Sequence, residues 1–181
     1  KFELVDYFGN PCVLIGITDI TDLKQVEEEL LKYATTDMLT GVLNRRVGME
    51  LLERQLSKPE EFVLCFMDIN HLKHVNDQIG HKAGDELIIT VCGVIKAKMD
   101  SNDILFRLGG DEFVVIFHHK TVEEVEQIWC IIQEKLESIN YAPKMPYPIS
   151  VSHGLYHYRP ENPVTVEEMM EMADKEMYKE K

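Results

Sequence analysis

The sequence predicts an α+β domain with a largely antiparallel sheet covered by helices. Three observations predict it. Residues 104–117 set two aliphatic and aromatic runs either side of Gly109-Gly110-Asp111-Glu112. That is the pattern of a β-hairpin whose glycines take turn conformations that other residues avoid. Residues 62–67 form a continuous apolar run that stops at Asp68, as in a strand buried on both faces. Helical periodicities alternate with these strands in the order β-α-β-β-α-β, which closes as helices packed on one sheet.

Taken in order, Phe2, Leu4 and Phe8 precede a turn at Gly9-Asn10-Pro11, and Val13 to Ile17 follow, giving a hairpin too small to fold alone. Thr21 to Thr35 reads as a helix. Its Leu23, Val26, Leu30 and Tyr33 are spaced 3-4-3, the seam of a short coiled coil; the alternative is a helix packed on its own domain. Asp37 to Arg46 holds a glycine turn, and Asn44-Arg45-Arg46 leads into a helix carrying Met49, Leu51, Leu52 and Leu56, ended by Pro59. After the buried strand, His71 to Gln78 is a short helix or turn. A helix from Gly84 to Met99 buries Leu87, Ile88, Val91, Val94 and Ile95.

Thr121-Val-Glu-Glu124 is a capping box, opening a helix with Val125, Ile128, Trp129, Ile132 and Leu136 inward. His118-His119, at the strand end before it, reads as surface. Pro143, Pro146 and Pro148 mark a loop, Ile149 to Tyr158 alternates as a pair of strands, and Thr165-Val-Glu-Glu168 caps a last helix. Met169, Met170, Met172 and Met177 of that helix read as core packing rather than a cofactor box.

Composition narrows the function. The 181 residues are 45% hydrophobic and 28% charged with a net charge of −13. An acidic surface excludes a nucleic-acid partner, because phosphate backbones are held by clustered Lys and Arg. It leaves a nucleotide substrate open, since metal can neutralise its phosphates. No apolar run nears the roughly 18 residues that span a bilayer, and no signal-peptide pattern is present. Cys12, Cys65, Cys92 and Cys130 are scattered without metal-ligand spacing and read as reduced thiols of a cytoplasmic protein. The chain opens on Lys rather than Met, as expected of an excerpt from a longer one.

Two adjacent acids at a hairpin tip are, on turn statistics alone, solvated. Asp68 changes that reading. If its strand neighbours the hairpin, Asp68 and Asp111 converge on one hard divalent cation, and Mg²⁺ is typically held by one or two carboxylates together with substrate phosphates. His71 and His74, spaced i, i+3, lack the further ligands a zinc site needs.

The residues also carry a resemblance. Arg107-Leu-Gly-Gly-Asp-Glu-Phe113 resembles the signature of GGDEF domains, the diguanylate cyclases. The likeness continues through residues 37–46, 68–77, 80–85, 150–154 and 173–178, six blocks in the family's order over about residues 35 to 181. It implies a βαββαβ core like that of nucleotide cyclases and polymerase palms, and condensation of two GTP into cyclic di-GMP and two pyrophosphates across a homodimer, with Mg²⁺ or Mn²⁺.

By the resemblance Asp68, Asp111 and the Ile69 backbone carbonyl hold metal. Asp111 or Glu112 accepts the proton, and Lys73 stabilises the transition state. The amides of His71, Leu72 and Lys73 and the side chain of Lys181 bind phosphate, and Asn76 and Asp85 read guanine. A carboxylate at Asp85 demands donors, which favours GTP over ATP. Residues 1–20 resemble the end of a PAS sensor domain, which makes 21–36 a linker helix and 37–181 the catalytic domain. One departure stands out. Where product-inhibited members carry Arg-x-x-Asp, this chain reads Asp100-Ser-Asn-Asp103, so Asp103 is kept, the arginine is lost, and feedback there is expected to be weak or absent. The alternative function is a catalytically silent domain that binds GTP or cyclic di-GMP.

Overall fold

The computed structural model describes residues 2–15, 17–141 and 147–180. It divides into two compact units, residues 1–34 and 35–181. In the first, β1 (Phe2–Tyr7) and β2 (Asn10–Ile15) form an antiparallel hairpin. The turn sets Phe8 and Gly9 at positive φ, and the Gly9 amide donates to the Asp6 carboxylate at 2.7 Å. Helix α1 (Thr21–Thr35) has the predicted extent, and its seam residues Leu23, Val26, Leu30 and Tyr33 are all exposed.

The second unit is built on a five-stranded sheet ordered β3-β5-β6-β4-β7. Strand β4 (Phe62–Ile69) lies between β6 (Glu112–His118) and β7 (Val151–Tyr158), antiparallel to both. All eight of its residues are buried, which accounts for the unbroken apolar run. Strand β5 (Ile104–Gly109) pairs with β6 across the glycine hairpin. The two-residue β3 (Leu43–Asn44) lies parallel to β5, so the sheet is mixed at that edge. It is too short to register as a sequence pattern.

Alternation divides the core between the two faces. Val63, Cys65, Met67 and Ile69 point to α4 (His81–Lys96) and α5 (Val122–Asn140). Phe62, Leu64 and Phe66 point to α2 (Arg45–Leu56) and α6 (Val166–Glu180). Capping chemistry sets the helix starts. Asn44 accepts from the Val47 amide, Thr121 and Glu124 close the predicted capping box, and Thr165 and Glu168 repeat it at α6.

Three expectations are corrected. Helix α4 begins at His81 and ends at Lys96, because Gly80, at φ 114, rather than an apolar residue sets its start. Residues 151–158 form one strand rather than two, since they pair without interruption along the whole of β4. His118 is half-buried against Phe62 rather than at the surface.

Gly154 sits where β7 meets α6, and a methyl group there would overlap the Ala173 carbonyl and the Met177 amide. Backbone cannot step aside as a side chain can. Gly154→Ala is therefore expected to destabilise the domain by at least about 2 kcal/mol, read by urea unfolding.

Candidate functional site

The site lies at one end of β4, where the buried strand runs out and the hairpin turns. Asp68 is itself buried, the penultimate residue of β4. The sheet register sets Glu112 directly across from it. Asp111 joins through its backbone: its carbonyl accepts the Ile69 amide at 3.1 Å. Gly110, at φ 54, and Gly109 give the turn its shape, and the β5–β6 register slips between Arg107 and Gly109.

Charge accumulates in this corner. Burial, then the neighbouring carboxylates of Asp111, Asp68 and Asp174, push the Glu112 pKa above the usual carboxylate value, and Arg45 at the start of α2 only partly opposes them. A surplus of hard oxygen donors of this kind fits a divalent cation. Among the described residues no three His, Cys, Asp or Glu side chains form a complete metal cage. One or two carboxylates are nonetheless the usual protein share for Mg²⁺, which takes its remaining oxygens from water and phosphate.

The hairpin is tied down by Arg107, which is 11% exposed. Its Nε and Nη2 donate to the Gly110 carbonyl at 3.1 and 2.6 Å, and Nη1 donates to both carboxylate oxygens of Asp37 at 3.0 and 3.2 Å. Asp37 also accepts from the Thr40 amide and hydroxyl at 2.9 and 2.7 Å. Burial works against the Asp37 charge, but the Thr40 bonds and the arginine outweigh it and hold its pKa below the usual range. Sequence reading gave Arg107 no function of its own; its place four residues before Asp111 was the only signal.

After β4 the chain bends sharply. The Asn70 amide donates to the Ser150 carbonyl at 2.9 Å, and His71 takes a left-handed conformation, φ 63, at the start of α3 (Leu72–Gln78). Leu72 is buried and anchors the turn, while Lys73 is exposed one residue on. The Asn76 side chain of α3 packs against Gly84 of α4, the residue before Asp85, because Gly84 has no side chain. A methyl group at Gly84 would overlap the Asn76 side-chain oxygen. Asn76 is half-buried and Asp85 exposed. Lys181 lies outside the described residues.

At the other flank, Asp103 is not free to receive a ligand. Its side chain is fully buried, accepts the His118 amide at 3.2 Å, and binds the Lys120 ammonium at 2.9 and 3.0 Å. Lys120 also reaches Asp100 at 2.7 Å. Burial opposes the Lys120 charge, but the two carboxylates more than offset it and raise its pKa. Lys120 lies 17 residues from Asp103, a cross-strand distance that spacing does not reveal. A cavity of about 390 Å³, lined by Val42, Lys96, Met99 and Leu105, opens beside this pair.

A buried strand whose penultimate residue is an acid, an acidic hairpin beside it and a short helix after it make up one corner of an α+β domain with a mainly antiparallel sheet. Residues 34–181 match the family described as diguanylate cyclase, GGDEF domain, and the chain belongs to that family. It is 26% identical over 181 residues to the diguanylate cyclase DgcM of Escherichia coli K12, covering 98% of this chain and 43% of that protein. It is 30% identical over 159 residues to the diguanylate cyclase DgcP of Pseudomonas aeruginosa, covering 85% of this chain and 23% of the relative. The chain therefore spans less than half the length of these relatives. Among solved structures, the coiled coil and GGDEF domain of DgcB from Caulobacter crescentus, in complex with c-di-GMP, superposes with a TM-score of 0.78 at 28% identity, covering 88% of this chain and 86% of that one.

Gly84→Ala tests the α3–α4 contact. The overlap is with the end of a flexible side chain, so the fold should persist while the Asn76 amide is displaced. Under the GTP-condensing reading proposed below, the expected result is a KM for GTP raised at least several-fold with a melting temperature within a few degrees of wild type, read by steady-state kinetics and thermal unfolding.

Proposed function

We propose that this chain is the catalytic output region of a diguanylate cyclase, condensing two GTP into cyclic di-GMP and two pyrophosphates across a dimer of domains, in bacterial second-messenger signalling. The observation that carries the reading is the corner itself: Asp68 at the end of a buried strand, Glu112 opposite it and Asp111 bonded alongside. Degenerate relatives that only bind nucleotide are expected to lose such acids, and here Asp68, Lys73, Asp111 and Glu112 all stand.

In this reading Asp68, Asp111 and the Ile69 carbonyl hold Mg²⁺ or Mn²⁺. When bound, the ion lowers the charge on the triphosphate and polarises the attacking 3′-hydroxyl. Glu112 or Asp111 accepts the hydroxyl proton. Lys73, exposed at the start of α3, meets the phosphate charge as it shifts, and the amides of His71 to Lys73, with Lys181, bind the terminal phosphates. Asp85 accepts from the N1–H and N2–H edge of guanine, and Asn76 pairs with O6. Adenine offers no matching donors, which disfavours other cyclic dinucleotides.

Each domain presents one such site, so the two 3′-hydroxyls meet only when two domains face each other. Residues 1–20 fit the closing hairpin of a PAS-type sensor, residues 21–36 a linker helix whose apolar seam pairs two chains, and residues 37–181 the catalytic domain. No helix among the described residues is long and apolar enough to cross a membrane. The proposed location is the cytoplasm, a reading supported by the free thiols of Cys65, Cys92 and Cys130. The Lys120 bridge to Asp100 and Asp103 occupies the place of the family's product-binding pair, which supports weak or absent feedback there.

A second reading, a regulatory domain that binds GTP or cyclic di-GMP without turnover, is favoured by one relative. PdeB of Shewanella oneidensis is named a cyclic di-GMP phosphodiesterase, and this chain matches it at 30% identity over 168 residues, 19% of its length.

Incubation of the purified chain with GTP and Mg²⁺ at low and high protein concentration separates the two. The cyclase reading predicts cyclic di-GMP that rises more steeply than linearly with protein and vanishes in Asp111→Ala. Saturable GTP binding with no product at any concentration would favour the regulatory domain.

A further inference from the structure

Arg107 makes contacts that its place in the signature does not explain. Four hydrogen bonds radiate from one nearly buried guanidinium. Two go to the carbonyl of Gly110, the residue just before Asp111, and two go to Asp37. The guanidinium carbon also sits 5.8 Å above the Phe113 ring, on the strand the hairpin leads into. Arg107 therefore touches the backbone before Asp111 and the side chain after Glu112, with the two acids between.

This is a means of holding a flexible element. A turn made of two glycines at positive φ has more backbone freedom than any other, and nothing in Gly109 or Gly110 alone selects one conformation. Two donors of a rigid planar fork converging on the Gly110 carbonyl fix the peptide between Gly110 and Asp111. That peptide in turn determines where the Asp111 carbonyl meets the Ile69 amide. The fork is itself fixed, because Asp37 grips its far edge and is gripped by Thr40. Asp37 stands two residues after the end of α1 in the chain, at the head of the turn that precedes β3.

We infer that Arg107 and Asp37 are a positioning pair for the catalytic hairpin: Arg107 sets the Gly110–Asp111 peptide, and the Asp37 turn sets Arg107. In the cyclase reading neither residue is assigned a contact with GTP. The inference rests on the cyclase reading for its effect on turnover, but its structural half does not.

The test uses the intact chain with Arg107→Lys and Asp37→Asn. Lysine keeps the charge but lacks the fork, so it cannot hold Gly110 and Asp37 together. Two readouts are taken: amide hydrogen exchange over residues 109–113 without nucleotide, and kcat against KM for GTP. Arg107→Lys should speed hairpin exchange at least tenfold and lower kcat at least tenfold, leaving KM within about twofold and exchange in α4 and α5 unchanged. Asp37→Asn, which keeps the Gly110 bonds, should fall between Arg107→Lys and wild type in both readouts.

Unchanged hairpin exchange in Arg107→Lys overturns the inference. So does faster exchange throughout the domain with kcat and KM both altered, which marks a general loss of stability. Faster hairpin exchange in Arg107→Lys than in wild type, with no product made by wild type itself, would sink the cyclase reading and leave the positioning pair standing.

Discussion

A carboxylate at the end of a fully buried strand is the constraint on which this domain depends. Asp68 is the penultimate residue of a strand whose every residue is buried, with β6 on one side and β7 on the other, and a buried charge must be paired or hydrogen-bonded to be tolerated. The two flanking strands exclude water from its backbone, and the end of the sheet is where the carboxylate finds an opening. The elements that lead to that end all turn there: the glycine hairpin between β5 and β6, the left-handed His71 before α3, and the Ser150–Asn70 link that closes β7 onto the same corner. The fold gathers acids where the sheet stops screening them, which leaves the corner short of positive charge.

The hairpin and the buried strand were legible in the sequence because each is a local pattern. An apolar run ending in Asp68 and two β-rich runs around Gly109-Gly110 carry their own periodicity, as do both capping boxes. Their pairing was legible only as a hypothesis until the register put Glu112 across from Asp68. The sheet register places Glu112 opposite Asp68, and Asp111 lies beside it through the bond from the Ile69 amide to its carbonyl, a detail that alternation around an irregular turn conceals.

What stayed hidden were contacts between residues far apart in the chain. Arg107 and Asp37 are separated by 70 positions, and Lys120 reaches Asp103 across a strand pair. Neither bond has a periodic signature. Gly84 was visible as a glycine at the expected place, but its role, to leave room for the Asn76 amide, depends on how two helices approach. The start of α4 was misplaced for a related reason, since His81, Lys82 and Ala83 offer no apolar spacing and the helix is set by the Gly80 backbone. Local chemistry was readable; geometry created by packing was not.

In the proposed metal site Asp68 and Asp111 share one divalent cation at the end of β4. The most direct measurement is Mn²⁺ anomalous scattering from a crystal of this chain grown with a non-hydrolysable GTP analogue. The account predicts an anomalous peak within bonding distance of both carboxylates and the Ile69 carbonyl, absent in Asp68→Asn. Nucleotide bound with no peak in that corner, or a peak held by other residues, would contradict it.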